Sequence, residues 1–192
     1  MTIHSSHPFE PDQAGREPIR RFRGRVGGAV SLWTAGQGMD RAGLTVTSML
    51  VAAGDPARVV VLLHPDADLL ERIEETSAAV VSLLTWRHRE LADMFAGQFP
   101  APGGPFRVGE WEQTEWGPRL VTAPSWLGVR ADARSRRDVG WSVLLEAVVE
   151  HVEVGEDTGD TGDTGDTGDT GDTESSVNSA PLFHRRGRYL RL

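Results

Sequence analysis

One mainly β domain is the fold class this sequence predicts, and three observations predict it. Short runs rich in β-branched residues recur along the chain, bounded by Gly, Pro and Asp. Only two segments read as helices outright, and both are brief. The 192 residues suit one domain, and 39% hydrophobic with 25% charged side chains is globular composition.

Residues 1–15 lack periodicity and read as a frayed arm. Val26 to Ala35 is strand-like and leads through the turn Gly36-Gln37-Gly38-Met39-Asp40 into Gly43-Leu44-Thr45-Val46-Thr47-Ser48, where apolar and hydroxyl residues alternate; the pair reads as a β-hairpin. Gly54-Asp55-Pro56 breaks the chain. The run Val59 to Leu63 that follows has the character of a strand buried on both faces. Asp66 or Asp68 is placed to cap a short helix through Glu75, with Leu69, Leu70 and Ile73 on one side. Ala78 to Leu84 is a second buried strand. Arg87 to Ala96 is a helix with Leu91, Met94 and Phe95 as its stripe and Gly97 as its stop. A Pro/Gly loop spans 100–105, and Leu120 to Val129 is strand again. Trp141 to Val154 fits a helical stripe and a long strand equally well. Pro181 to Leu190 closes the chain as a last strand.

Between these last two segments lies Asp-Thr-Gly repeated five times and then Asp-Thr, residues 157–173. Such a stretch has almost no apolar surface to bury and repels itself, so 156–177 is expected to be a disordered acidic insertion in a domain formed by 16–155 and 178–192. A calcium-binding role is disfavoured by the period and by the missing apolar ladder. The eight acids from Glu156 to Glu174 account for the whole net charge of −8. The remaining chain is formally neutral and lacks the basic excess of a nucleic-acid surface. All 20 basic residues are Arg, and there is no Cys, which excludes disulfides and thiolate chemistry. No apolar run suits a membrane span and the N-terminus lacks a secretory h-region, so a cytoplasmic protein is expected.

Several stretches together carry a resemblance. They are Trp33-Thr34-Ala35; Gly43 to Ser48; Asp55-Pro56; Val80-Val81-Ser82-Leu83-Leu84 leading into Glu90 to Gly97; Ala123-Pro124-Ser125-Trp126-Leu127; and Pro181-Leu182-Phe183 with Gly187-Arg188-Tyr189. In this order and spacing the chain resembles the flavin reductase-like family of FMN-binding split barrels over roughly residues 22–155 and 180–190. The resemblance implies a six-stranded antiparallel split β-barrel with short helices, paired into a homodimer whose interface holds two FMN sites.

It also implies a site. Thr34, Gly43, Leu44, Thr45, Val46, Thr47 and Ser48 would line the isoalloxazine ring and ribityl arm through backbone amides and hydroxyls. Leu62, Leu63 and His64 would follow at the end of the next strand, with Asp68 and Leu69 in the turn after it and Ser82 at the flavin edge. That Thr-Val-Thr is simply good strand sequence is the competing reading of the first stretch. Many members have Ser and Thr in the turn, bonded to the FMN phosphate; this chain has Asp66 and Asp68. A carboxylate beside a phosphate is unfavourable. Backbone donors at Asp68-Leu69, neutralisation by Arg41 or Arg87, or a different cofactor would each resolve the conflict. Where the family often carries Gly-Asp-His for the nicotinamide, this chain reads Asp138-Val139-Gly140-Trp141-Ser142, so Trp141 either stacks on a ring or fills the core.

Other chemistries find no support. The six His residues show no metal spacing, and His88 reads as a solvated surface residue on a helix. Glu74-Glu75 and Glu146/Glu150 suit exposed faces better than glycosidase pairs. There is no Gly-x-Ser-x-Gly elbow, P-loop or Rossmann pattern. The resemblance therefore implies an NAD(P)H-dependent FMN reductase, with NADH or NADPH as co-substrate and a monooxygenase as recipient of reduced flavin. The alternatives are a module that holds FMN, deazaflavin or haem without turnover, and a ligand-free dimeric scaffold.

Overall fold

The computed structural model describes residues 18–155 and 179–191; the arm 1–15 and the insertion 156–177 lie outside the described residues. The first elements are α1 (Pro18–Val26), β1 (Gly28–Ala29), β2 (Ser31–Ala35), β3 (Ala42–Val46), β4 (Met49–Ala52) and β5 (Arg58–Leu63). Next come α2 (Asp68–Thr76), β6 (Ala78–Leu83), α3 (Arg89–Phe95), β7 (Trp111–Gln113), β8 (Pro118–Leu120) and β9 (Ser125–Ala131). The chain ends in β10 (Arg137–Val139), β11 (Ser142–Glu153), β12 (Leu182–Arg185) and β13 (Arg188–Arg191). Among the described residues no helix is long and apolar enough to cross a membrane.

The main antiparallel sheet runs β3-β2-β6-β9-β11-β5-β4, with β10 added against β11. Its two ends, β3 and β4, are consecutive in the chain and separated only by Thr47 and Ser48. Counted as one bent strand, they join the edges of a curled six-stranded sheet, the split barrel the resemblance implies. Inside it pack Trp33, Val46, Val59, Val61, Leu63, Val81, Val129, Val143 and Leu145, and α2 adds Leu69, Leu70 and Ile73 to this core. Each α2 side chain so buried contributes roughly 1.5–3 kcal/mol. A second core beneath α3 gathers Val30, Leu32, Leu84, Leu91, Ala92, Phe95, Leu120 and Leu182.

Several expectations are corrected. The ambiguous segment is the twelve-residue strand β11, because β5 and β9 pair with it on either side and Val143, Leu145 and Ala147 alternate inward. The stretch read as strand from Val26 begins as the end of α1, and Gly27, at φ +67, turns the chain into β1 and β2. Leu120 to Val129 is two strands, β8 and β9, joined by a turn. The α2 N-cap is Ala67, which has no side chain to offer, so neither Asp66 nor Asp68 caps the helix. In β5 only Val59, Val61 and Leu63 are buried; Leu62 is 37% exposed, so the strand is covered on one face rather than two.

His88 is the plainest departure from its expected surface position. A 3-10 turn, Trp86–His88, precedes α3, and Thr85 caps it through a reciprocal capping box that uses the imidazole. The Thr85 N–H donates to His88 Nδ1 at 3.0 Å, and Nε2 lies 3.1 Å from Thr122 Oγ1. Burial first, then the neighbouring Arg87 charge, lowers the His88 pKa from 6.5 to about 4. Between those values the unfolded chain binds more protons than the folded one. The stability His88 contributes is therefore complete above pH 6.5 and lost as pH falls toward 4. Urea unfolding should show a decline of up to about 3 kcal/mol from this group across that window. In His88→Gln this part of the pH dependence should be missing, and an unchanged slope would contradict the assignment.

Candidate functional site

Residues opposite one another in antiparallel strands share a face. On the outer face of β10, β11 and β5 one row reads Arg137–Leu144–Leu62, and β4's approach continues it through Ser48. The Leu62 N–H donates to the Ser48 carbonyl at 3.3 Å, and Ser48 Oγ donates to the Leu62 carbonyl at 2.7 Å. The neighbouring row holds Val139 and Ser142, and a further row holds Glu146, Val60 and Leu50. Leu50 and Leu62 are exposed, as are Val139 and Trp141 in the β10–β11 hairpin. Trp141 is 72% exposed, so it does not fill the core. Gly140, at φ +60, takes the first central position of this two-residue hairpin, where a side chain is disfavoured.

The same end of the barrel carries the turn from β5 into α2. The Asp66 N–H donates to His64 Nδ1 at 3.2 Å; a ring nitrogen that accepts holds no proton, so His64 presents Nε2–H. The sequence-predicted residues thus meet in part. Thr47, Ser48, Leu62 and His64 lie on or beside the open face, and Asp68 is exposed at the start of α2. Leu44, Val46, Leu63 and Leu69 belong to the barrel core.

The remaining four residues face α3 and β8. Ser82 and Thr45 flank Leu32 in register, and Thr34 pairs with Gly43. Thr45 Oγ1 donates to the Ala92 carbonyl at 2.7 Å, and Thr34 Oγ1 donates to the Pro118 carbonyl. A Cβ on Gly43 would stand 2.6 Å from the Phe95 ring, so this glycine admits α3 to the sheet. What β3 offers a ligand is its free edge: it is the last strand of the sheet order, and no backbone partner lies beyond it among the described residues.

The donor set suits a planar ring system better than a phosphate. An apolar strip with a hydroxyl and an exposed indole beside it offers stacking surface. The turn that would face a phosphate carries Asp66, Asp68 and Glu71. Arg41 lies 4.5 Å over the Phe106 ring and Arg87 donates to the Thr122 carbonyl, so both guanidiniums are engaged on the α3 side.

Sequence reasoning missed three features. Leu50, Leu144 and Arg137 join the open face only through strand register. His151 lies between Trp116 and Trp126, with centroids 5.3 and 4.3 Å away. Beside this stack, hydrogen bonds from Arg130 and then Trp116 hold the Glu150 carboxyl below its usual range, and the Trp126 indole does the same for Glu153. A cleft of about 320 Å³ between Gln37, Arg72, Gln113 and Trp116 contains none of the expected residues.

The flavin reductase like domain model matches residues 23–192. FMN reductase (NADH) RutF of Ancylobacter novellus is 28% identical over 109 residues, covering 56% of this chain and 60% of that protein. FMN reductase (NADH) RutF 2 of Methylorubrum extorquens is 27% identical over 145 residues, covering 73% and 81%. The matched segment thus spans less than two thirds of the Ancylobacter protein. Flavin reductase PheA2 superposes with a TM-score of 0.70 at 20% identity, covering 91% of this chain and 95% of its own. BorF, the flavin reductase component of a bacterial two-component tryptophan halogenase, gives 0.68 at 17% identity over 91% and 96%. At these identities the superpositions establish the fold.

Proposed function

We propose, because this chain belongs to the flavin reductase-like domain family, that it is a cytoplasmic NAD(P)H-dependent flavin reductase. The curated relatives named above are NADH-dependent FMN reductases, which supports FMN as a substrate and NADH ahead of NADPH. The observation that carries the reading is the open face: Leu50, Leu62, Val139 and Trp141 stay exposed together beside the bent strand, in register with Leu144 and Ser48.

When flavin and nicotinamide are bound, hydride transfer is chemistry the two cofactors supply themselves. The chain's residues bind, orient and exclude water. Leu62 and Leu144 give a ring an apolar bed, and the Ser48 hydroxyl, its proton committed to the Leu62 carbonyl, keeps lone pairs to accept a hydrogen bond. Trp141 takes the position of the family's nicotinamide-associated His and offers stacking in place of a hydrogen bond. Such positioning is worth several orders of magnitude in effective molarity. The halogenase pairing of BorF supports delivery of reduced flavin to a partner oxygenase.

A second copy of the chain completes the site in this reading. The face formed by Leu50, Val60, Leu62 and Leu144 is a contiguous apolar surface, and the exposed Ile19, Phe22 and Val26 of α1 form another. A twofold pairing would cover such surfaces and shield the rings from water.

Three measurements test this reading. Purified protein with FMN should oxidise NADH, followed at 340 nm, and Trp141→Ala should raise KM for the nicotinamide about tenfold while flavin affinity holds; absence of turnover with flavin bound would leave a binding module. Thr47→Ala/Ser48→Ala should weaken flavin binding tenfold or more in a fluorescence titration, since each lost hydrogen bond is worth roughly 0.5–1.5 kcal/mol. Because the Ser48 hydroxyl also bonds the Leu62 carbonyl, the melting temperature of the flavin-free protein should fall by a few degrees, and a drop of that size with unchanged flavin affinity would refute this placement of the site. Sedimentation at micromolar concentration should show a dimer that Leu50→Arg dissociates, and a stable flavin-loaded monomer would refute the shared site.

A further inference from the structure

We propose that this chain discriminates against the flavin 5′-phosphate, so that riboflavin binds at least as tightly as FMN. The inference rests on the reductase reading, and on the resemblance that directs the phosphate arm to the turn between β5 and α2. That turn and the first turn of α2 carry three exposed carboxylates, Asp66, Asp68 and Glu71. The nearest basic side chain is His64, its Nδ1 3.9 Å from Asp66 and accepting the Asp66 N–H, which is the neutral form of the ring.

No other described element offsets this charge. The strands packed against α2 are β2, β3 and β6, and their sequences hold no charged residue. On α2 itself Arg72 is paired with Glu75, and Arg136 is paired with Glu74 across from it. Arg137 stands two strands from β5 and two residues below the His64 level, which places it on the order of 10 Å away. At that distance, across an exposed surface, physiological salt screens it.

The α2 N-terminus offers two N–H groups without a backbone acceptor, those of Asp68 and Leu69, and its cap residue provides no side-chain bond. Such an end ordinarily welcomes an anion. Here Asp68 and Glu71 already occupy the first turn as the negative charges its dipole favours. A phosphate arriving there would meet the three like charges of that turn, whereas the ring and ribityl chain would meet Leu62, Leu144 and Ser48 whether or not a phosphate follows. Riboflavin and FMN differ in that phosphate alone, so their affinity ratio isolates the turn.

The test is a fluorescence titration of the flavin-free full chain with riboflavin and with FMN, at about 20 mM and about 300 mM NaCl. The wild type should bind riboflavin as tightly as FMN or more so. Salt should tighten FMN binding and leave riboflavin alone. Asp66→Asn/Glu71→Gln should tighten FMN roughly tenfold with riboflavin within about twofold. A wild type that prefers FMN tenfold or more overturns the inference and leaves the reductase standing. So does FMN binding that weakens with salt, an arm that needs no variant to fold. Failure to bind either flavin overturns both.

Discussion

One bent strand governs the rest of the structure. The segment Ala42–Ala52 pairs with β2 through its first half and with β5 through its second, so a single stretch of chain supplies both edges of the sheet. Without the bend at Thr47 and Ser48 the two ends of the sheet would part and leave the barrel core exposed to water. The bend is held from both sides. Ser31 Oγ donates to the Val46 carbonyl at 3.0 Å, and Ser48 is doubly bonded to Leu62. The hydroxyls expected to meet a flavin therefore sit at the mechanical closure of the barrel, where their backbone positions are fixed by two partner strands.

Closure also decides the fate of otherwise similar side chains. Thr45 and Thr47 are two residues apart in one segment, yet the first lies under α3 and the second is exposed. A hydroxyl buried without a partner costs roughly 1–3 kcal/mol, so the covered face needs acceptors at hand. The Ala92 and Pro118 carbonyls, from α3 and β8, provide them for Thr45 and Thr34. On that side the polar groups serve packing. On the other, Leu62 and Leu144 keep apolar surface open to whatever docks there.

The split barrel was legible in the sequence because its evidence is local: β-branched runs, glycine turns and short motifs in order. What was lost depended on partners far along the chain. The residues of β11 satisfy either period, and only pairing with β5 and β9 selects the strand. The run Val59 to Leu63 has the composition of a strand covered twice, but composition cannot say whether the second cover comes from its own chain or another molecule. The signal for His88 was present in the spacing, since Thr85 stands three residues before it as in a capping box. Polarity of the flanking residues outweighed that spacing. The candidate site divided along the same line: Gly43, a flavin-approach residue by resemblance, is held by Phe95 fifty-two positions away in the chain, and no local pattern announces that contact.

The acidic start of α2 has a structural reason that bears on the site. With Ala67 at the N-cap, the helix lacks a side-chain cap, a loss of about 1 kcal/mol. Asp68 and Glu71 in the first turn recover a comparable amount by opposing the helix dipole, at roughly 0.3–1 kcal/mol each. The same helix must stay formed, because Leu69, Leu70 and Ile73 complete the barrel core. A Ser-Thr turn in this place would cap the helix and bond a phosphate with one set of groups. This chain stabilises the helix with fixed charge instead, and in the reading proposed above that charge opposes an anionic ligand. Helix stability and an anionic ligand would both draw on the dipole at this end, and in this chain Asp68 and Glu71 already oppose it.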